Sequence, residues 1–363
     1  MTFVAEAGAV TGTGPYRLVA ALSLVVMACG GTDKESNDAP GGATGGTGGT
    51  AAVATAPLST LVCELEERSS AAEPPTTQVP DFGEPVRLSL DDPCPQDAVE
   101  VSPDGNRVYY SYSTNVLSVL EAEGRMFEQV EVRYQDREDG DSWSPPRVLD
   151  LKTSLPGSVP GEIRVAPDGS WVVWHAIAAQ NLGVVEGLPA GQTFDLDLYD
   201  AQIVNGIPGP ARHLPRGINS VYLDGEHWLT DDGRTLYLAS DRPGGVGGVD
   251  IWRAERAAGD DWTEPVALPP PVNSTADDLQ PTLSPDGDWL YMASDRGGAT
   301  SIWRVPIVDD GFGVEAELVL APYVGEPSFT DDGRLFFVSV EIDFSVEPPA
   351  LFDSDIYYVE PRG

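Results

Sequence analysis

Short apolar strands separated by tight turns are the main hydrophobic pattern of the chain, and residues 280–304 show the unit most clearly. Residues 284–287 read Ser-Pro-Asp-Gly, which has the chemistry of a tight turn: Pro presets φ, Asp hydrogen-bonds forward to the backbone and Gly accepts a positive φ. Apolar and aromatic residues flank this turn at 281–283 and 289–292, which predicts a β-hairpin. A further apolar segment at 301–304 predicts a third strand.

This unit occurs five times along the chain. In every copy an apolar pair stands four and five residues after the turn aspartate, so each turn leads into a strand in the same register. We predict a purely structural role for the turn aspartates, which are Asp104, Asp168, Asp232, Asp286 and Asp332. The predicted third strands begin at Val132, Asp197, Asp250, Ser301 and Asp355.

A fourth short segment precedes each unit, and in most copies it contains a proline. Proline suits an outer edge strand, where a missing N–H leaves no ladder bond unmade. These segments are 82–88, 143–149, 209–214, 262–268 and 312–318. Four strands per unit predict an all-β fold, a five-bladed β-propeller. Because the series starts with an edge strand and ends with a third strand, we expect 82–88 to pair with 355–359 and close the ring.

The repeat resembles the WD-type repeat of TolB-like β-propellers, in which a Ser-Pro-Asp-Gly hairpin is followed by an aromatic strand, Ser-Asp-Arg and Asp-Ile-Trp. The resemblance covers about residues 81–360 and is fullest around 240–242 and 294–296, where Ser-Asp-Arg is present. The other three units lack that tripeptide. TolB-like rings commonly have six blades, so six is the alternative to five. The resemblance implies a scaffold used mostly for binding, without identifying the partner.

The N-terminal segment has the properties of an export signal. An apolar run of 11 residues, 18–28, follows Arg17 and is too short for a bilayer, which needs about 20 helical residues. Residues 26–29 read Val-Met-Ala-Cys, which resembles a bacterial lipobox. The resemblance implies a lipoprotein signal peptide at 1–28, lipidation of Cys29 and an outer-membrane lipoprotein facing the periplasm or the cell surface. An ordinary secretory signal with a chance cysteine is the alternative.

Residues 29–80 are rich in Gly, Thr, Ala and Pro and predict a disordered tether, because such a segment buries too little apolar surface to offset chain entropy. The propeller domain is then expected at 81–363. Cys63 and Cys94 remain after the anchor, and pairing is the expectation in an oxidising compartment. Two free thiols are the alternative.

The chain is strongly acidic, with 58 Asp and Glu against 21 Lys and Arg and a formal net charge of −37. Such a charge repels nucleic acid, which we exclude as a partner. A solvated acidic surface explains most of it, and a divalent cation such as calcium is the one cofactor that it suggests. Catalytic motifs such as Gly-x-Ser-x-Gly and His-Glu-x-x-His are absent from the sequence. The three histidines, none of them in a cluster typical of metal ligands, are expected to be structural: His175, His213 and His227.

One position of the repeat predicts a site. The residue six before each turn aspartate begins an innermost strand, and in a propeller these strands converge on the mouth of the central channel. The five residues are Ala98, Glu162, Glu226, Gln280 and Glu326. Loops on the same face supply Asp241, Arg242, Asp295 and Arg296. Such a ring would bind a cation, ordered water or a basic side chain. The alternative is that each Glu caps its own strand or pairs with an arginine.

Together these features predict a monomeric, lipid-anchored propeller that acts as a non-catalytic binding or scaffolding module. Its partner would be an envelope protein or polymer, and it would touch the membrane through the anchor only. The competing hypothesis is a glycoside hydrolase or glycan-binding protein that uses Glu162, Glu226 and Glu326, since such enzymes place two carboxylates about 5 to 10 Å apart. Stacking aromatics usually accompany glycan sites, whereas the aromatics here fall mostly at repeat positions expected between blades.

Overall fold

The computed structural model describes residues 74–90, 94–113, 130–138, 142–183, 195–257, 261–309, 311–343 and 350–362. The predicted signal peptide, Cys29 and Cys63 lie outside these residues, so the statements about them stay predictions. None of the helices in the described part is long and apolar enough to cross a bilayer.

Five antiparallel sheets form the blades of a β-propeller. Two short strands, β1 (Thr76–Thr77) and β2 (Val86–Arg87), precede the first blade. Blade 1 contains β3 (Gln96–Val101), β4 (Arg107–Ser113), β5 (Val130–Asp136) and β6 (Arg147–Leu149). Blade 2 contains β7 (Val159–Val165), β8 (Trp171–Ile177), β9 (Asp197–Val204), β10 (Ile207–Pro208) and β11 (Arg212–His213). A one-turn helix, α1 (Leu151–Ser154), connects them.

The remaining three blades follow the same plan, and their innermost strand comes first in each. Blade 3 contains β12 (Asp224–Leu229), β13 (Thr235–Ser240), β14 (Asp250–Glu255) and β15 (Val266–Ala267). Blade 4 contains β16 (Asp278–Leu283), β17 (Trp289–Ser294), β18 (Ser301–Val308), β19 (Gly311–Phe312) and β20 (Glu317–Ala321). Blade 5 contains β21 (Val324–Phe329), β22 (Leu335–Asp343) and β23 (Ala350–Val359).

The ring is closed by the N-terminal segment, as the sequence predicts. Strand β2 pairs antiparallel with β23, with Val86 opposite Tyr358 and Arg87 opposite Tyr357. The backbone N–H of Leu88 extends this pairing to the Ile356 carbonyl at 2.8 Å. Blade 5 therefore has the order β2-β23-β22-β21. The ring has five blades, and the six-bladed alternative is not realised.

The propeller sheets include residues on the N-terminal side of residue 81, the predicted start of the domain. Strand β1, within the segment assigned to the tether, pairs antiparallel with β20 and adds an outer strand to blade 4. The backbone N–H of Gln78 also donates to the Val319 carbonyl at 2.8 Å. Val79 is buried in the apolar cluster that includes Phe82. This segment folds because it pairs with the backbone hydrogen-bonding groups of β20, which is otherwise an edge strand. Its Thr-rich composition does not indicate this pairing.

The five predicted turns form as expected. In blade 1, Asp104 Oδ1 accepts hydrogen bonds from Ser102 Oγ at 2.7 Å and from the Asn106 backbone N–H at 3.0 Å. Both bonds recur at Asp232 and Asp286. Asp332 accepts from Thr330 Oγ1, and Asp168 accepts from the Ser170 backbone N–H, since Ala166 at the start of that turn has no hydroxyl group. Hydrogen bonds from neighbouring side chains, supported by backbone N–H groups, lower the pKa of all five carboxyls. These turns define one end of the propeller, which we call the turn face.

Apolar side chains pack mainly between blades. Trp174, in blade 2, is fully buried and packs in one cluster with Tyr109 and Val132 of blade 1. Equivalent clusters lie between the other neighbouring blades. Each blade is thus stabilised by both neighbours, which makes closure of the ring a condition for burying the core.

Phe82 tests whether the N-terminal segment is part of the folded ring. Its side chain is 5% exposed and packs with residues of blades 4 and 5. We expect Phe82→Ala to lower the free energy of unfolding by about 3–5 kcal/mol, measured by chemical denaturation, because it leaves a cavity in this cluster. Val314→Ala is the control, since Val314 is 91% exposed, and should change stability by less than about 0.5 kcal/mol. Equal effects would place residue 82 outside the core.

Candidate site in the central channel

Every innermost strand is interrupted by a β-bulge at the same position of the repeat. The pairing register shifts between Asp97 and Glu100 in blade 1, and at the equivalent place in the other four blades. The residue six before the turn aspartate lies inside each bulge. Four of these residues have a positive φ: Ala98 (53°), Glu226 (40°), Gln280 (54°) and Glu326 (59°). A non-glycine residue in this conformation costs about 1–3 kcal/mol, and a bulge redirects the side chain.

The bulges bring the predicted ring residues together. Gln280 Nε2 donates to Glu326 Oε1 at 3.3 Å, and Gln280 Oε1 accepts from the Glu326 backbone N–H at 2.9 Å. The Val99 backbone N–H of blade 1 donates to Glu326 Oε2 at 3.2 Å. Glu226 and Glu326 are 1% and 3% exposed. The ring therefore lies inside the channel, not on its outer rim.

Asp97 is a member of the ring that the sequence pattern missed. The repeat position in blade 1 is Ala98, which has no polar side chain, and the neighbouring Asp97 supplies a carboxyl that hydrogen-bonds to Glu326. Burial raises the pKa of Asp97 well above its usual range, and the charge of Glu326 raises it further. A carboxylate next to a predicted bulge is the signal that would have found it, because a bulge breaks the two-residue alternation of a strand.

Glu162 shares this acidic environment. Burial raises the pKa of Glu162 well above its usual range, and the charges of Glu226, Glu326 and Glu100 add to the effect. Carboxylates that face one another out of water cannot all ionise at the same pH. Glu162 and Asp97 therefore keep their protons to a higher pH than an exposed carboxyl does.

Two histidines lie beside Glu162, which corrects the expectation that no histidine belongs to a ligand-like cluster. Donor atoms of Glu162, His175 and His227 all lie within 4.8 Å of one another. The two imidazoles meet edge to face, with ring centroids 6.5 Å apart. His175 is on β8 and His227 on β12, so the contact depends on the packing of blade 2 against blade 3 and cannot be inferred from sequence spacing. His213 is elsewhere, with Nε2 2.6 Å from Asp197 Oδ2.

The Ser-Asp-Arg loops do not join the ring; they tie each blade to the preceding linker. Arg242 donates to the carbonyls of Gly217 and Ile218 at 2.7 and 2.6 Å and pairs with Asp224. Arg296 makes the same contacts one blade on, with Pro271, Val272 and Asp278. Asp241 and Asp295 accept from the backbone N–H groups of Leu223 and Asp277 at 2.9 and 3.0 Å. These arginines pair with aspartates instead of the ring glutamates, so we leave the four loop residues out of the site.

A second layer of the channel lies two residues further along the innermost strands. Arg164 is 7% exposed and pairs with Glu100 Oε1 at 2.5 Å and with Asp231 Oδ1 at 2.7 Å. Ser328 Oγ donates to the other oxygen of Glu100 at 3.0 Å. This layer contains a buried arginine that pairs with its carboxylates, in contrast to the acidic ring above it. The two-residue period of a strand could have identified Arg164 from the position of Glu162.

Open depressions lie on the turn face, and a small cavity lies beside the acidic ring. On the turn face, adjoining depressions of about 520 and 240 Å³ share Pro103 and Asp331 as lining residues. The cavity beside Asp97, Gln280 and Glu326 measures about 10 Å³. A volume of that size holds about one water molecule. The depressions of the turn face could therefore accommodate a larger ligand than this cavity could.

Cys94 is 3% exposed and is disulfide-bonded, and Tyr112 Oη donates to its sulfur at 2.9 Å. Its partner lies outside the described residues, so pairing with Cys63 stays a prediction.

No protein-family model matches the chain. Among solved structures it is similar to a TolB-type protein from Agrobacterium tumefaciens, with 17% identity, a TM-score of 0.43 and coverage of 75% of this chain and 91% of that one. TolB from Acinetobacter baumannii is 14% identical, with a TM-score of 0.42, and the match covers 75% of this chain and 56% of that one. The RS223 β-xylosidase is 12% identical, with a TM-score of 0.46 and coverage of 77% and 98%. At these identities the likeness concerns the fold alone.

Asp97→Asn tests the protonation of the ring. The pKa of Asp97 in the folded protein is above its unfolded value, so the folded state keeps the proton longer and this carboxyl lowers stability as the pH rises above about 4. The variant is expected to lose less stability than the wild type between about pH 4.5 and pH 7.5, measured by urea denaturation.

Asp286→Asn is the matched control, and its effect on stability should depend on pH in the opposite direction. Hydrogen bonds lower the pKa of Asp286, so its stabilisation is present at neutral pH and disappears as the pH falls through the folded pKa. Asp286→Asn should therefore be less stable than the wild type at neutral pH, with a difference that shrinks in acid. The same pH trend for both variants would contradict a protonated ring.

Proposed function

We propose that this protein is a lipid-anchored, non-catalytic β-propeller of the bacterial cell envelope that binds a basic segment of an envelope protein on its turn face. The observation that carries the proposal is the pair of adjoining depressions of about 520 and 240 Å³ on the turn face, which exposed aspartates border.

Charge supports a basic partner. The depressions are bordered by exposed aspartates of several blades, namely Asp104, Asp168, Asp286 and Asp331. Hydrogen bonds lower the pKa of Asp104, Asp168 and Asp286, so these carboxylates are ionised at neutral pH. Arg164 does not neutralise this border, because it is buried and already paired with two acids. Arg107 also lines the larger depression, where it pairs with Asp136. Acidic residues therefore outnumber basic ones, and an excess of one sign of charge steers an oppositely charged segment towards the surface.

Aromatic side chains that line the two depressions provide apolar surface against which the partner can pack. Trp228 and Phe329 line the smaller depression and are partly exposed, and Tyr109 lines the larger one. Aromatic residues within a polar border are typical of protein-binding surfaces. The geometry thus favours the turn face over the Glu-lined end that the sequence alone favours. Residues 114–129, 184–194 and 344–349 lie outside the described residues.

The glycosidase hypothesis requires a sugar beside the ring carboxylates. Ligand pockets have volumes of about 300–1,000 Å³. The cavity that borders Asp97, Gln280 and Glu326 measures about 10 Å³ and does not itself admit a sugar. We propose a binding role and expect no hydrolysis of aryl glycosides by the purified protein.

The anchor is tested by Cys29→Ala. Because the lipobox-like sequence ends on this cysteine, lipidation would hold the protein in the membrane and its loss would release it. We expect the wild type to partition into the detergent phase of a cell-envelope extract and the variant into the aqueous phase. Cys63→Ala is the control and should partition like the wild type; release of both variants would argue against an anchor at residue 29.

The turn face is tested by a pair of charge reversals. Asp331→Lys changes a residue shared by both depressions without altering the turn aspartate, whereas Glu315→Lys makes the same charge change at an exposed site remote from them. Partner recovered from envelope extract with the tagged protein should fall about tenfold for Asp331→Lys and stay unchanged for Glu315→Lys. Recovery should also fall as salt is raised, because exposed charges are screened. Equal recovery with both variants would exclude the turn face.

A further inference from the structure

We propose that Glu162, His175 and His227 form a binding site for one divalent transition-metal ion of the zinc class between blades 2 and 3 of the channel. The inference is independent of the partner-binding function, because these residues do not line the turn-face depressions.

The three side chains already lie close to a ligand arrangement. Their donor atoms are all within 4.8 Å of one another. A tetrahedral ion held at about 2.0–2.2 Å from each ligand separates the ligand atoms by about 3.4 Å. Side-chain movements of less than about 1 Å therefore complete the site. Each ligand comes from a strand, β7, β8 or β12, and not from a loop, so the scaffold holds the residues in place.

The second observation is that polar atoms in this cluster lack partners. His227 is 2% exposed; the Val173 backbone approaches its ring, and within the described part of the chain at least one of its ring nitrogens has no hydrogen-bond partner. Glu162 Oε2 is likewise buried without one. Buried polar atoms are nearly always hydrogen-bonded, and those that are not indicate a bound water or ion. An ion shared by His227 and Glu162 would satisfy both at once.

The protonation states suit metal binding. Burial lowers the pKa of His227 to about 3, with a contribution from His175, and outweighs the Val173 backbone, which raises it. Burial also lowers the pKa of His175 to about 4. Both imidazoles are neutral at physiological pH, which is the form that coordinates a metal. A divalent ion would also offset the charges of Glu226 and Glu326, which face Glu162.

Backbone nitrogens approach the His175 ring from two sides. Its Nε2 lies 3.2 Å from the Glu162 backbone nitrogen, and its Nδ1 lies 3.1 Å from the Glu226 backbone nitrogen. A neutral imidazole has one lone pair to accept with, so it makes only one of these bonds and loses only one on coordination. The ring also occupies the space over Gly161, where a Cβ would come within 1.8 Å of Nε2. Glycine at this position makes room for the imidazole.

The types of ligand atom in the cluster determine which metal ion it would bind. Calcium and magnesium prefer oxygen ligands, whereas two imidazoles and one carboxylate suit zinc, cobalt or nickel. The calcium suggested by charge alone does not fit this cluster. A water molecule bridging His227 and Glu162 is the competing occupant.

The test uses the full chain, purified in detergent, treated with chelator and titrated with Zn²⁺ or Co²⁺ in excess Mg²⁺, which saturates the surface carboxylates. We expect one ion per chain by calorimetry, a visible Co²⁺ absorption typical of nitrogen ligands, and a rise in the thermal midpoint of about 5 °C at a hundredfold excess over the Kd.

Variants assign the ion to the cluster. His227→Gln and Glu162→Gln should each weaken Zn²⁺ binding by more than about 100-fold, since loss of an outer-shell partner alone costs 10–100-fold. His213→Gln is the control and should bind like the wild type, because His213 pairs with Asp197 away from the cluster. The absence of stoichiometric binding to the wild type, which needs no variant to fold, would overturn the proposal and favour the bridging water. Binding equally tight in His227→Gln and His213→Gln would overturn it too.

Discussion

The hydrogen bonds between β2 and β23 are the constraint on which the rest of the molecule depends. Each blade buries its apolar residues against the blades on either side, so an open ring would expose the clusters at both of its ends. The pairing of Val86 and Arg87 with the last strand joins residues that are far apart in sequence. Contacts of this kind form late and cost loop-closure entropy, which the inter-blade clusters then offset.

Closure in turn positions the channel. With five blades around one axis, any feature of the innermost strand is repeated five times, and the repeated feature here is a bulge. The bulge gives Glu226, Gln280 and Glu326 a backbone conformation that side chains rarely adopt. The folded protein keeps this backbone strain and holds acidic groups that repel one another close together. Both features lower the free energy of unfolding. Such features are expected at functional sites.

The repeat explains how much of the fold could be predicted from the sequence. Five turns in one register were enough to predict the blades, the closing strand and the convergence of Glu162 with Glu326. A copy of the repeat with a weak pattern can be recognised from the copies with a clear one. Features that occur in only one blade were not predicted. Asp97 stands one residue out of register, and strand β1 is recognised by its backbone bonds to β20 and not by its side chains. His175 meets His227 only because two blades pack together, and neither residue has a counterpart in the other blades.

The position of β1 has a mechanical consequence. Residues 74–90 lie first along the outer edge of blade 4 and then along that of blade 5, so a pull from the N-terminal side loads these contacts in order. The two-residue pairing of β1 with β20 takes the load first, followed by the ion pair of Asp81 with Arg304 at 2.5 Å. Only after both give way is tension passed to β2 and the ring. Tension applied from the N-terminal side would thus reach the outer edge of blade 4 before it reaches the closing strand.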